Sequence, residues 1–112
     1  MATLAYAQLD LEPALVPPVW WYEVRNILLV NERRRRISQR ESTDFIRELD
    51  ELPIRVSEIP KHSTLLDLAR NYRLTVYDAA YLELAQRHGV PLATLDKALR
   101  AAAQPAGIAL LA

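Results

Sequence analysis

The stretch LTVYDAAYLELAQRHGVPLATLDKAL, Leu74 to Leu99, decides how the chain is read. Tyr81, Leu82 and Ala85 recur at helical spacing, and Gly89 supplies the stop on which helices commonly end. The apolar run VPLATL follows and reads as a buried strand, with Asp96 beyond it as the cap of a further helix. Helix, strand and helix in this order form part of an α/β layer. Asp78 is the odd residue. It shares the stripe of Tyr81, Leu82 and Ala85, where a core residue is expected.

Working back toward the N-terminus, Lys61 to Arg73 predicts a helix with Leu65, Leu66, Leu68 and Ala69 inward. Ile54 and Val56 alternate with polar neighbours, which predicts a short strand. Ser38 with Glu41 three residues on is a capping-box signature and opens a helix to about Glu51. Pro18 suits the first turn of a helix to about Arg34, with Trp20, Val24, Ile27, Leu28 and Asn31 along one side. Ala14–Val16, fenced by prolines, reads as a buried strand. Residues 2–9 predict a helix ending at Asp10. At the other end, GIALLA predicts a last strand. Helix and strand alternate throughout, so the fold class is α/β with a parallel sheet flanked by helices.

The chain of 112 residues is 51% hydrophobic and has only two glycines, which fits a globular domain and not a disordered one. Its 14 basic and 14 acidic residues cancel, so no global field favours nucleic acid or membrane. There is no cysteine, which excludes disulfides and thiolate metal sites. No signal peptide or membrane-length apolar run is present. The expectation is a soluble cytoplasmic protein.

Three carboxylates stand where carboxylates are costly. Glu23 shares a stripe with Trp20, Ile27 and Val30; Asp78 lies on an apolar stripe; Asp96 follows a buried strand at its carboxyl end, where open α/β sheets place ligands. Meeting at one sheet edge, they would repel one another and bind a hard divalent cation, Mg²⁺ or Mn²⁺. Simpler roles compete. Asp78 and Asp96 lie at helix starts, where Asp caps exposed amides, and the helix dipole alone favours Glu23 early in its helix. Arg33, Arg34, Arg35 and Arg36 close a helix, where cations suit the dipole; a solvated face competes there with a phosphate site. Trp20, Trp21 and Tyr22 read as core and rim. His62 and His88 are isolated and lack ligand spacing.

The stretches ALVPPVWWYEVRNILL, LTVYDAAYLELAQRHGVPLATLD and GIALL, in this order, resemble the PIN-domain ribonucleases, specifically VapC toxins of toxin–antitoxin pairs. The resemblance covers essentially the whole chain. It implies a three-layer fold and a Mg²⁺-dependent endoribonuclease that cleaves RNA, is held by a VapB-type antitoxin and is usually dimeric. Glu23, Asp78 and Asp96 match the family's metal-binding acids. Asn26 and Thr94 match polar residues beside them. One departure follows: the family opens on an apolar strand ending in Asp, which has no counterpart here. Residues 1–112 therefore resemble one PIN-like domain lacking its first strand and first acid. Two consequences are expected: impaired cleavage, or a non-catalytic module binding an antitoxin or itself, and a homo-oligomer that relieves the unpaired sheet edges.

Overall fold

The computed structural model describes residues 6–8 and 14–111. The elements run β1 (Tyr6–Gln8), β2 (Ala14–Val16), α1 (Pro18–Arg33), α2 (Gln39–Asp50), β3 (Ile54–Val56), α3 (His62–Tyr72), α4 (Val76–His88), β4 (Leu92–Ala93) and α5 (Lys97–Ala103). The strands form one sheet in the order β3-β2-β1-β4. β2 and β3 pair in parallel, Ala14 opposite Ile54 and Val16 opposite Val56. A parallel bridge joins Leu92 to Leu110, with Leu92 N donating to Ala109 O at 2.9 Å. The predicted last strand is thus reduced to a single bridge.

The N-terminal segment corrects the sequence reading. Residues 2–9 predict a helix, yet Tyr6–Gln8 is a strand, antiparallel to both neighbours, with Ala7 opposite Leu15 on one side and Leu92 on the other. The reason lies in the sheet. A helix of eight residues is marginal alone, whereas a strand here satisfies backbone groups on two edges that would otherwise be buried unpaired. The slot between β2 and β4 is filled by the chain's own segment, so the gap that motivated an oligomer is closed from within.

The other elements follow their local signals. Ser38 Oγ accepts from Glu41 N at 3.0 Å and Glu41 Oε1 accepts from Ser38 N at 2.9 Å, completing the capping box of α2. Gly89 ends α4 with φ of +62°, a conformation that a β-carbon disfavours. α4 itself is enclosed nearly all round: Ala79, Tyr81, Leu82, Leu84 and Ala85 are buried, and the helix packs on α3, α5 and the sheet. Such burial marks a central helix instead of a half-exposed amphipathic one. Leu15, Val16, Trp20, Val24, Leu92 and Leu99 complete the core. No described helix is long and apolar enough to cross a membrane.

Candidate functional site

α1, α4 and the start of α5 each present one acid toward a common region. Glu23 lies on α1 three residues after buried Trp20, and its Oε1 accepts a hydrogen bond from Tyr81 Oη of α4. Asp78 lies in the first turn of α4. The cap of that helix is Thr75, whose Oγ1 accepts from Asp78 N at 3.0 Å, so the Asp78 carboxylate is spared the capping role that its position allowed. Asp96 does cap its helix: Oδ2 accepts from Leu99 N at 3.0 Å. Buried Thr94 holds it in place, its Oγ1 accepting from Asp96 N at 3.0 Å.

The three charges feel one another in series. Burial, and then repulsion from Asp78, push Glu23 above its ordinary carboxylate range, against the opposing Tyr81 hydrogen bond. Burial and repulsion from Asp96 likewise raise Asp78, while its hydrogen bond with the Thr75 hydroxyl lowers it. The Tyr81 phenol is driven upward by burial and by its bond to Glu23, which keeps it a donor across the physiological range. Asp78 is the middle member of the set.

Among the described residues, no three Asp, Glu or His side chains come close enough to grip one ion. The donor chemistry nevertheless suits a hard cation. All three are carboxylates, two of them are made uncomfortable by a neighbouring carboxylate, and Mg²⁺ keeps most of its waters and needs only one or two such ligands. A hydrated ion on Asp78 and one neighbour fits this arrangement; a three-carboxylate cage does not.

A groove of about 720 Å³ opens against Glu23 and Asp78. Asn26 forms part of its wall, as do Tyr22, Arg25 and Tyr77, three residues to which the sequence reading assigned no binding role. Tyr22 and Tyr77 are 69% and 64% exposed, unusual for large aromatic side chains. The only sequence signal for them is adjacency: each immediately precedes one of the acids. Tyr81 and Thr75 were also missed, although each lies three residues from Asp78, the spacing of helical neighbours. Arg33, Arg34, Arg35 and Arg36 are exposed at the far end of α1, away from the acids.

Comparison with known proteins fits this geometry. A family model described as "PIN domain" matches residues 2–105. The chain belongs to the PIN-domain family. Ribonuclease VapC3 of Pyrobaculum aerophilum is 35% identical over 82 residues, covering 70% of this chain. The match spans 62% of that relative, less than two thirds of its length. No solved structure matches significantly. The α/β layers, the parallel β2–β3 pair and the flanking helices are those of a PIN domain, here with an antiparallel β1 inserted into the sheet.

Proposed function

We propose that this chain is an endoribonuclease of the VapC toxin type that cleaves RNA phosphodiesters, with low turnover as it stands. The observation that carries the reading is the electrostatic chain Glu23–Asp78–Asp96, of which Glu23 and Asp78 line a groove, in a PIN domain. In this proposal Glu23, Asp78 and Asp96 are the catalytic acids, and Asp78 with one of its two neighbours would hold a hydrated Mg²⁺ or Mn²⁺. Such an ion, when bound, neutralises phosphate charge and makes water a better nucleophile. Tyr81 fixes the Glu23 carboxylate and Thr75 fixes the backbone of Asp78. Thr94 does the same for Asp96. Asn26, in the groove wall, would donate to a phosphate or a base. Low turnover follows from the loose set of acids, since fewer converging ligands fix both metal and substrate less firmly.

The partners proposed with this activity are RNA as substrate and a VapB-type antitoxin as inhibitor, in the cytoplasm. A homo-oligomer belongs to the same proposal on the family's account alone, because β1 already fills the sheet. The absence of a three-acid cluster among the described residues also favours a second reading, a non-catalytic module that binds an antitoxin or itself. Cleavage of mixed single-stranded RNA, with Mg²⁺ or Mn²⁺ and then with EDTA, separates the two. Slow metal-dependent cleavage that disappears in Asp78→Asn supports the nuclease. Cleavage that persists undiminished in Asp78→Asn, or none at any metal concentration, removes it.

A further inference from the structure

The charge of this chain cancels overall but not locally. Arg33, Arg34, Arg35, Arg36 and Arg40 fall within eight residues that contain no acid, and the rest of the chain sets nine cations against all fourteen acids. All five arginines are exposed. None forms an ion pair among the described residues, whereas Arg47, Arg70 and Arg87 each pair with a carboxylate on their own helix. Helix electrostatics account for little of this. Arg33 alone lies in the last turn of α1, where a cation suits the dipole. Arg40 lies in the first turn of α2, where the dipole opposes one. Gathering like charges in one place costs stability through self-repulsion, so folding does not ask for this patch.

The turn that carries the run is fixed. Arg34 N donates to Val30 O at 3.0 Å, Arg35 N to Glu32 O at 2.9 Å and Arg36 N to Asn31 O at 2.9 Å. The last two are the bonds of a Schellman end, with Arg35 in the left-handed conformation at φ of +58°. Glycine takes that conformation without steric cost; here an arginine holds it. The side chains therefore start from a set frame, which lowers the ordering cost of binding.

Guanidinium groups bind phosphate and carboxylate alike, so the surroundings decide between them. Arg33–Arg40 contains no exposed large apolar side chain, the kind of anchor that carries the energy of a protein interface. It contains no aromatic residue either, so unpaired bases find nothing to stack on. What the patch offers is cations at high density. A double helix carries one negative charge per about 1.7 Å of its axis, twice the density of either strand. That ligand presents its phosphates and hides its base faces.

We infer that the α1–α2 turn, Arg33–Arg36 with Arg40, binds the phosphate backbone of double-helical RNA at a site apart from the acids. Eleven residues of α1 separate Glu23 from Arg34, about 16 Å of helix. Contacts of this kind position a nucleic acid and read no sequence. The inference goes beyond the ribonuclease reading, because an anchor at the turn requires no cleavage.

The test is binding, measured in EDTA by the fluorescence anisotropy of a short fluorescein-labelled RNA duplex of mixed sequence. Arg34→Gln with Arg36→Gln should weaken binding at least about fivefold and lower the slope of log affinity against log salt by about two. Arg35→Gly should lower that slope by about one, yet melt no lower than wild type, since glycine suits a positive φ. Weaker binding in that variant is thus not loss of fold. Arg47→Gln, which removes an arginine already paired with Asp44, should leave the slope unchanged. Unchanged slopes in both turn variants would overturn the inference. So would a single strand of the same length held as tightly as the duplex through the same arginines. A polyglutamate peptide that displaces the duplex at equal charge concentration would give the patch to an acidic protein segment and sink the RNA anchor. Arginine-dependent duplex binding without metal-dependent cleavage would keep the anchor and remove the nuclease. Cleavage with arginine-independent binding would do the reverse.

Discussion

Tyr81 Oη on α4 donates a hydrogen bond to Glu23 Oε1 on α1, joining the helices of two acids that lie 55 residues apart by number, from Glu23 to Asp78. The bond is the one contribution at Glu23 that favours its charged form, since both burial and Asp78 oppose it. Tyr81→Phe should therefore raise the Glu23 pKa further. It should also cost about 1–2 kcal/mol in urea denaturation at pH 7, less than for a fully buried charged bond because half-buried Glu23 regains water. A loss below a few tenths of a kcal/mol would mean that the contact carries no stability.

In EDTA the acids set the sign of the pH dependence. Glu23 and Asp78 are raised in the fold from ordinary values of 4.5 and 3.8. Between those values and the raised ones, the folded chain holds protons that the unfolded chain has released. Stability contributed by these groups thus falls as pH rises through that window and stays lowered above it. Asp78→Asn removes its share of the repulsion, so the variant should melt at a higher temperature than wild type at pH 7. The gap should close as the pH drops below 3.8, where both states are protonated. A variant no more stable than wild type at pH 7 contradicts the shift.

A bound cation should relieve the same repulsion. Mg²⁺ or Mn²⁺ should raise the melting temperature of the wild-type chain at pH 7, growing with the logarithm of concentration once the site saturates. NaCl at matched ionic strength should not reproduce it, and Asp78→Asn should lose most of it because Asp78 is the middle acid of the three. Equal shifts in wild type and variant would place the ion elsewhere.

Ser42 on α2 is buried, and its hydroxyl has no hydrogen-bond partner among the described residues. Ser42→Ala removes an unsatisfied polar atom and substitutes a better helix former. It should stabilise the fold by about 0.5–1 kcal/mol in denaturant titrations. Destabilisation would show that the hydroxyl has a partner.

Elements specified by neighbouring residues were legible before the structure. The Ser38–Glu41 box, Pro18 and Gly89 each act within one helical turn, and α1, α2 and α4 begin or end where they stand. Tyr6–Gln8 was not legible, because its strand state depends on pairing with remote β4, Ala7 opposite Leu92, as well as with nearby β2. At the site, Glu23, Asp78 and Asp96 could be picked out as carboxylates among apolar neighbours. Their partners could not: Tyr81 reads as core, and only the fold turns its hydroxyl to Glu23. Glu83 escaped for a related reason. The stripe of Tyr81, Leu82 and Ala85 does not include Glu83, which goes in because α4 is enclosed nearly all round.

That buried acid yields the sharpest stability test. The Glu83 side chain is 5% exposed and that of Arg87, one turn later, 32%. The pairing is bidentate: Arg87 Nε donates to Glu83 Oε2 at 2.9 Å and Nη2 to Oε1 at 3.1 Å. Nη2 also donates to Glu58 O at 3.2 Å, so the pair ties α4 to the segment after β3. Arg87→Ala would strand a buried carboxylate. Its cost should be on the order of 3 kcal/mol, the low end for a broken buried pair, since Arg87 remains partly in water. Glu83→Leu should cost less, because Arg87 can turn to solvent and keep Glu58 O. Glu83→Leu with Arg87→Leu should recover most of the Arg87→Ala loss, as an apolar pair avoids the desolvation that the ions suffer. Urea denaturation of the three variants measures all three terms. If the double variant is less stable than Arg87→Ala, the tether to Glu58 matters more than the stranded charge, and the order of these effects is reversed.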